Sequence, residues 1–206
     1  SVFGTPYKVI RIPMPPETNG SWPHQGGDYL TFTNSVFINK TVLVPTYYQQ
    51  YDTTAIRIYK QSLPGYRIVP INCNSTITAS GALHCITHSV GTSNPLLITH
   101  QPLPNTTNTV TPYLVSASML HRSGIAGARM YWRTDTLQPY AMVTMNTVNG
   151  TDWSGNIPPQ QPGTKVYYYV EGTSVSGKTQ VRPMPAPAGY WKFNVSGVTA
   201  MEEVES

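Results

Sequence analysis

The chain has 206 residues, of which only 11% are charged, and its formal net charge is +4. A chain of this length can bury a sizeable core and predicts one or two domains. Abundant Thr, Asn, Ser, Tyr and Pro favour a soluble, strand-rich and exported protein, and the Tyr, Val and Ile content excludes disorder. The positive charges form no Lys/Arg run, which argues against nucleic-acid binding, and no apolar stretch approaches the roughly 18 residues that span a membrane.

The first half of the chain combines extended segments with one helix. The predicted strands are rich in β-branched and aromatic residues and span 7–13, 30–38, 41–45, 66–71 and 96–100. Between two of them, Asn39 and Lys40 indicate a hairpin turn. Ile56, Tyr59 and Leu63 recur at helical spacing and predict a helix over 52–64. We expect residues 73–88 to form a loop.

The second half of the chain shows no helical period. Residues 101–112 are rich in Pro, Thr and Asn, which is typical of a linker. Beyond them, regularly spaced short strands predict an all-β sandwich. These strands span 113–120, 128–134, 140–145, 165–171 and 190–195. We therefore expect four segments, namely a first domain over 1–103, a linker over 104–111, a sandwich over 112–198 and an acidic tail over 199–206.

The segment 81–88 contains the most reactive side chain of the sequence. Cys85 lies beside His84 and follows small residues, which leaves room for a substrate around an exposed thiol nucleophile. Two structural alternatives to a nucleophile remain for Cys85, namely a buried apolar thiol and a disulfide with Cys73. Cys85, His88 and His100 are residue types that bind zinc, but no further Cys or His pair completes a tetrahedral set. We therefore expect no metal and no cofactor.

Several short motifs of the first hundred residues occur together in a known family. They are Thr33-Asn34-Ser35, Val42-Leu43-Val44-Pro45, Tyr59-Lys60, Leu63-Pro64-Gly65-Tyr66 and Ala82-Leu83-His84-Cys85-Ile86-Thr87-His88. In this order they resemble the C-terminal part of the bacterial, Porphyromonas-type peptidylarginine deiminase family, which also includes the agmatine deiminases. The resemblance covers residues 9–100. Residues 113–195 also look like the immunoglobulin-like domain that follows the catalytic domain in the peptidylarginine members.

The resemblance implies an α+β chain, in which the C-terminal portion of a pentein α/β propeller is followed by an all-β immunoglobulin-like sandwich. It implies that Cys85 is the nucleophile and that Asn34 lies in the active site, where it positions the substrate or the thiol. We expect Ser80, Gly81 and His84 to contact the substrate. A turn of small residues explains Ser80 and Gly81 equally well, and His84 has an alternative role in orienting its loop.

Family members also use two acidic residues and a general acid/base histidine from earlier parts of the sequence. No His-x-Asp pair occurs here. We therefore expect this chain, which begins at Ser1 without a leader-like segment, to be one piece of a secreted or cell-surface precursor. An N-terminal fragment of that precursor would supply the carboxylates and the acid/base.

The expected reaction is hydrolysis of peptidylarginine to peptidylcitrulline and ammonia. Carboxylates suit a guanidinium because its paired N–H groups form bidentate hydrogen bonds. The expected partners are the N-terminal fragment and an arginine-containing peptide or protein, without nucleic acid or a membrane span. Agmatine is an alternative substrate. A non-catalytic surface or adhesion module is the alternative from a different functional class.

Overall fold

The computed structural model describes residues 8–17, 19–22, 24–147 and 149–197. The chain divides into two compact units, the first ending at Thr92 and the second beginning at Ser93. Among the described residues, no helix combines the length and the apolar character needed to cross a bilayer. The predicted acidic tail and residue 7 of the first predicted strand lie outside the described residues.

The first unit is built on a ββαβ arrangement. Its elements are β1 (Val36–Ile38), β2 (Thr41–Thr46), α1 (Gln49–Ser62) and β3 (Arg67–Asn72). The sheet order is β1-β2-β3, with β1 antiparallel and β3 parallel to β2. The hairpin turn predicted at Asn39 and Lys40 is confirmed, and Asn39 takes the left-handed conformation that Asn tolerates (φ 52°).

Two predicted strands of the first unit are wrong or too long. Residues 8–13 form no strand, and of the predicted strand 30–38 only β1 pairs with a neighbour. The alternating pattern of the first segment runs into Pro13, Pro15 and Pro16, which lack the backbone N–H that a sheet ladder requires. Leu30 and Phe32 are nevertheless buried, at 2% and 3% exposure, so their apolar character reflects core packing without strand pairing.

Helix α1 connects the two parallel strands and packs against them. It begins at Gln49, three residues before the predicted start, so that Asp52 lies within its first turn. The Asp52 carboxylate instead accepts the backbone N–H of Tyr47 (2.9 Å) from within the first turn. Ala55 and Tyr59 are buried on the inward face, and the helix ends before Pro64 and Gly65, with Gly65 at φ 85°.

The predicted loop over 73–88 is wrong in part, because it contains two single-turn helices, α2 (Asn74–Ile77) and α3 (Leu83–Ile86). Helices of four residues are too short to show a 3.6-residue period in the sequence. Ile77 and Leu83 are buried at 5% and 7% exposure and anchor both turns in the core around Val42 and Val44. Residues 78–82 between the two helices form no helix, and Gly81 in this segment lies close to the thiol of Cys85.

The second unit is a largely antiparallel sheet that curves into a near-barrel. Its strands are β4 (Leu97–His100), β5 (Tyr113–Leu120), β6 (Ile125–Arg133), β7 (Ala141–Thr147), β8 (Asp152–Ile157), β9 (Lys165–Ser174), β10 (Thr179–Arg182) and β11 (Trp191–Asn194). The strand order is β10-β9-β6-β7-β8-β5-β4, and β11 also pairs with β9. Strand β7 makes the bend, since its first part pairs with β6 and Asn146 and Thr147 pair with β8.

The division of the chain differs from the predicted boundary after residue 103. The predicted strand 96–100 is present as β4, but it pairs with β5 and so joins the second unit. The segment predicted as a linker contributes to this unit too, because Thr106 forms a bridge with Val195. Strands β8 and β10 are polar and were not predicted. The immunoglobulin-like and pentein assignments stay predictions.

Candidate active site

Cys85 lies in α3 with an exposed side chain, and both cysteines are free thiols. Cys73, in contrast, is 2% exposed and directly follows the end of β3. Successive side chains on a helix diverge by about 100°, so His84 and Cys85 point in different directions from the same turn. The structure therefore presents an accessible thiol that no disulfide blocks.

Asn34 reaches this thiol from the segment that leads into β1. Its Nδ2 donates to the Cys85 Sγ (3.0 Å) across 51 positions of sequence. Its Oδ1 accepts the backbone N–H of His84 (2.7 Å), which the Asn34 carbonyl oxygen also approaches (3.3 Å). One amide side chain thus fixes both the beginning of α3 and the position of the sulfur, because its two polar atoms bind different parts of the same turn.

Asn34 is itself held in place by Tyr59 of α1. The Tyr59 hydroxyl donates to the carbonyl oxygen of Phe32 (3.0 Å) and shares a hydrogen bond with Ser35 Oγ (2.9 Å). These two contacts lie on either side of Asn34 in the sequence. Burial raises the pKa of Tyr59, so its hydroxyl stays neutral and remains a hydrogen-bond donor near neutral pH.

A cavity of about 200 Å³ lies beside the Asn34 amide. Asn34, Ser80 and Gly81 line it, together with Gly27, Tyr29 and Thr31. Ser80 adopts a left-handed conformation (φ 62°), which is unusual for a residue other than Gly and often occurs at functional sites. A Cβ on Gly81 would lie 2.9 Å from the Cys85 Cβ and 3.5 Å from its Sγ, so the absence of a side chain keeps the thiol accessible.

The structure brings four of the five sequence-predicted site residues together. Asn34, Ser80 and Gly81 line the cavity, and Cys85 contacts both Asn34 and the space above Gly81. His84 joins the site through its backbone N–H, while its exposed side chain is not part of the cavity lining. The alternative role in orienting the loop fits this geometry better than substrate contact.

No sequence motif indicated a buried acid near the cavity. Glu17, which is 9% exposed, accepts a hydrogen bond from His24 Nδ1 (3.1 Å), and both side chains occupy the space that a Cβ on Gly27 would need. Glu17 therefore lies behind the Gly27 wall of the cavity. The glycine-rich loop around Gly27 was the only available signal, because the spacing of Glu17 and His24 follows no motif.

In the described part of the chain, no three His, Cys, Asp or Glu residues are grouped as metal ligands would be.

The comparisons with known proteins place the first unit in one family. The family model described as Porphyromonas-type peptidyl-arginine deiminase matches residues 2–90. A Legionella pneumophila (strain Philadelphia 1) protein named an agmatine deiminase is 28% identical over 97 residues, 46% of this chain and 26% of that protein. A protein of the same name from Vibrio parahaemolyticus is 27% identical over 101 residues, 42% of this chain and 28% of that protein.

Residues 2–90, which are less than half of the chain, are similar to this peptidylarginine deiminase and agmatine deiminase family, as the sequence motifs predicted. The chain spans about a quarter of the length of these two curated relatives. Among solved structures, an engineered protein aligns with 71% of this chain and 36% of its own, at a TM-score of 0.37 and 8% identity. A similarity this low carries no conclusion about the fold.

Proposed function

We propose that the chain carries the nucleophile of an enzyme that hydrolyses a guanidinium group, with the arginine side chain of a peptide or protein as substrate. The main support is the contact between Asn34 Nδ2 and the sulfur of Cys85 at 3.0 Å. It joins a free, exposed thiol to an amide at the mouth of a cavity, within the segment that matches the deiminase family. A thiol retained only for packing would be buried, as Cys73 is.

In the proposed reaction, the sulfur of Cys85 in its thiolate form attacks the central carbon of the guanidinium. The tetrahedral adduct collapses after one nitrogen is protonated, ammonia leaves, and a thiouronium remains on the sulfur. Water then adds to the same carbon, the C–S bond breaks, and the electron pair returns to the sulfur as citrulline departs. Asn34 positions the sulfur during both steps, and Ser80 and Gly81 bound the space beside it.

The reaction needs acidic groups to orient the cation and a proton shuttle, and we assign both to an N-terminal part of the same precursor. The chain covers only about a quarter of the two curated relatives described above, which leaves most of such an enzyme to other sequence. The first unit also exposes large apolar side chains that a partner would cover. Trp22, Phe37 and Ile86 are 68%, 55% and 66% exposed. The low-charge, Thr- and Asn-rich composition supports a secreted or cell-surface location.

Two observations bear on the substrate. The family match covers residues 2–90 and does not include the second unit. An additional domain suits an enzyme that acts on macromolecules, so the second unit supports a protein substrate. The relatives named agmatine deiminases favour the small amine as the second candidate. The assay combines the chain with the N-terminal part of its precursor and supplies an arginine peptide or agmatine. Citrullinated peptide as the main product supports the first candidate, and N-carbamoylputrescine supports the second.

Alkylation separates an enzyme from a binding module. Chloroacetamidine carries a guanidinium-like cation, and chloroacetamide is its neutral counterpart of similar shape. With the N-terminal part present, Cys85 should react faster with the amidine, and Cys85→Ser should abolish both labelling and hydrolysis. The isolated chain should show no such preference, because the acidic groups are missing. Equal rates for the two reagents in the assembled protein would contradict the proposal and favour a non-catalytic surface module.

A further inference from the structure

The outward face of β6 and β9 carries an ordered strip of polar and aromatic side chains. Side chains alternate between the two faces of a sheet, and Ala128, Met130 and Val170 point into the core with 0–3% exposure. The residues between them therefore face outward as four successive pairs across the two strands. These pairs are Gly127 with Thr173, Arg129 with Glu171, Tyr131 with Tyr169, and Arg133 with Tyr167. The strip is roughly 20 Å long at about 3.3 Å per residue.

A cavity of about 480 Å³ opens at the Gly127 end of this strip. Gly127 has no neighbouring atom within 4 Å of the position that a Cβ would take, so the missing side chain creates the depression. The register between β6 and β9 also shifts between Ile125 and Gly127, and such bulges often occur beside binding sites. The volume lies within the range of roughly 300–1,000 Å³ that is typical of small-molecule sites.

The cavity combines paired charges with an apolar wall. Arg129 and Glu171 lie 3.6 Å apart at its rim, and the Tyr131 hydroxyl donates to Glu171 (3.2 Å). Met145 and Trp153 form part of the wall, and the indole N–H of Trp153, at 8% residue exposure, has no partner within the described chain.

The tyrosines continue the strip away from the cavity. The rings of Tyr131 and Tyr169 stack with centroids 4.7 Å apart, and the ring of Tyr140 meets Tyr169 edge-on at 4.9 Å. The Arg133 guanidinium lies 4.0 Å from the centroid of the Tyr140 ring. Tyr169 is buried at 9% exposure, so the half-buried Tyr131 and Tyr140 provide the accessible surface of this shelf. The packed rings are rigid and lose little conformational entropy when they bind a partner.

We propose that this outward face binds a neutral oligosaccharide, with one sugar unit in the cavity and the following units along the tyrosine shelf. A sugar ring has C–H faces that suit tyrosine and hydroxyl groups that both donate and accept hydrogen bonds. Glu171 can accept from such hydroxyls and Arg129 can donate to them. They are the two charged side chains of the cavity lining, and their opposite charges largely cancel, which disfavours an anionic sugar in the cavity. The four pairs contain no aliphatic side chain, whereas the centre of a protein–protein interface is usually apolar.

The test uses an immobilised panel of neutral and acidic oligosaccharides and the complete chain, with tryptophan fluorescence as a second readout. The main variant is Gly127→Val, which fills the cavity without a clash and places a β-branched residue in a strand. Glu171→Gln removes the charge but keeps an acceptor for Tyr131. Ala141→Val places the same side chain at an exposed position of β7 outside the cavity lining and is the matched control.

Retention of neutral oligosaccharides, weakened on the order of tenfold or more by both cavity variants and unchanged in Ala141→Val, would support the proposal. Fluorescence should respond to the same sugars, because Trp153 lines the cavity. Three outcomes would overturn it. They are no retention, retention that Gly127→Val does not affect, and retention of acidic glycans or immobilised polypeptides alone.

Discussion

Replacing Gly81 by Ala tests whether the accessibility of the thiol depends on a missing side chain. The added Cβ would lie 2.9 Å from the Cys85 Cβ, whereas two carbon atoms in contact need roughly 3.5 Å. Helix α3 must therefore move by about 0.6 Å, the difference between these distances. The same movement stretches the hydrogen bonds that Asn34 makes to the His84 N–H and the Cys85 Sγ.

We expect the free energy of unfolding of the first unit to fall by about 1–3 kcal/mol, as for other overpacked sites. Alkylation of Cys85 and turnover should both decrease, because the new methyl group lies beside the sulfur. Urea-dependent labelling of buried Cys73, followed by mass spectrometry, measures unfolding of the first unit separately from the second. Labelling of Cys85 without urea measures access to the site.

Gly91→Ala is the matched control, because no atom lies within 4 Å of its Cβ position and its backbone is not left-handed. It should leave Cys85 labelling unchanged and leave stability unchanged or raised by up to about 1 kcal/mol. If Gly81→Ala behaved like this control in both measurements, the close approach of residue 81 to the thiol would not limit the site, and the argument would be refuted.

Three further predictions concern other contacts. Asn34→Asp keeps the acceptor for the His84 N–H but removes the donor to the sulfur, so turnover should fall on the order of tenfold while urea unfolding barely changes. Tyr59→Phe should destabilise the first unit by about 1–3 kcal/mol and slow turnover, because the buried carbonyl oxygen of Phe32 loses its partner. Equal turnover in this variant and the wild type would contradict the positioning role of Tyr59. Burial lowers the pKa of His100 below 6.5, so the folded state binds fewer protons than the unfolded state and the second unit should lose stability as the pH falls below about 6.5. Urea unfolding at pH 7.5 and 5.5 checks this, and in His100→Gln, which cannot take up that proton, the loss should be smaller.

Local patterns predicted most of the fold. Strand β5 appears at its predicted bounds because Tyr113, Val115, Ala117 and Met119 alternate with exposed residues. Strands β8 and β10 were missed because their residues have weak strand propensity and are stabilised by pairing with neighbouring strands. The polar run TQVR of β10 shows no apolar alternation at all.

The candidate site was predicted unevenly. Cys85 and Asn34 were predicted from motifs, and the structure adds that the two side chains are in contact. Tyr59-Lys60 was one of the family motifs, but the sequence could not reveal that the Tyr59 hydroxyl binds the backbone of Phe32 and the side chain of Ser35. Nor could it place Glu17 and His24 behind Gly27, because that packing depends on how a proline-rich segment without regular secondary structure folds back.

The bridge from Asn34 to the turn that bears Cys85 has a consequence for the newly made polypeptide. The two residues are 51 positions apart, and only the docked hairpin, helix and parallel strand bring them together. Before that docking, Cys85 is an ordinary cysteine without its amide neighbour. The Asn34 amide can therefore influence this sulfur only after the hairpin, the helix and the parallel strand have docked.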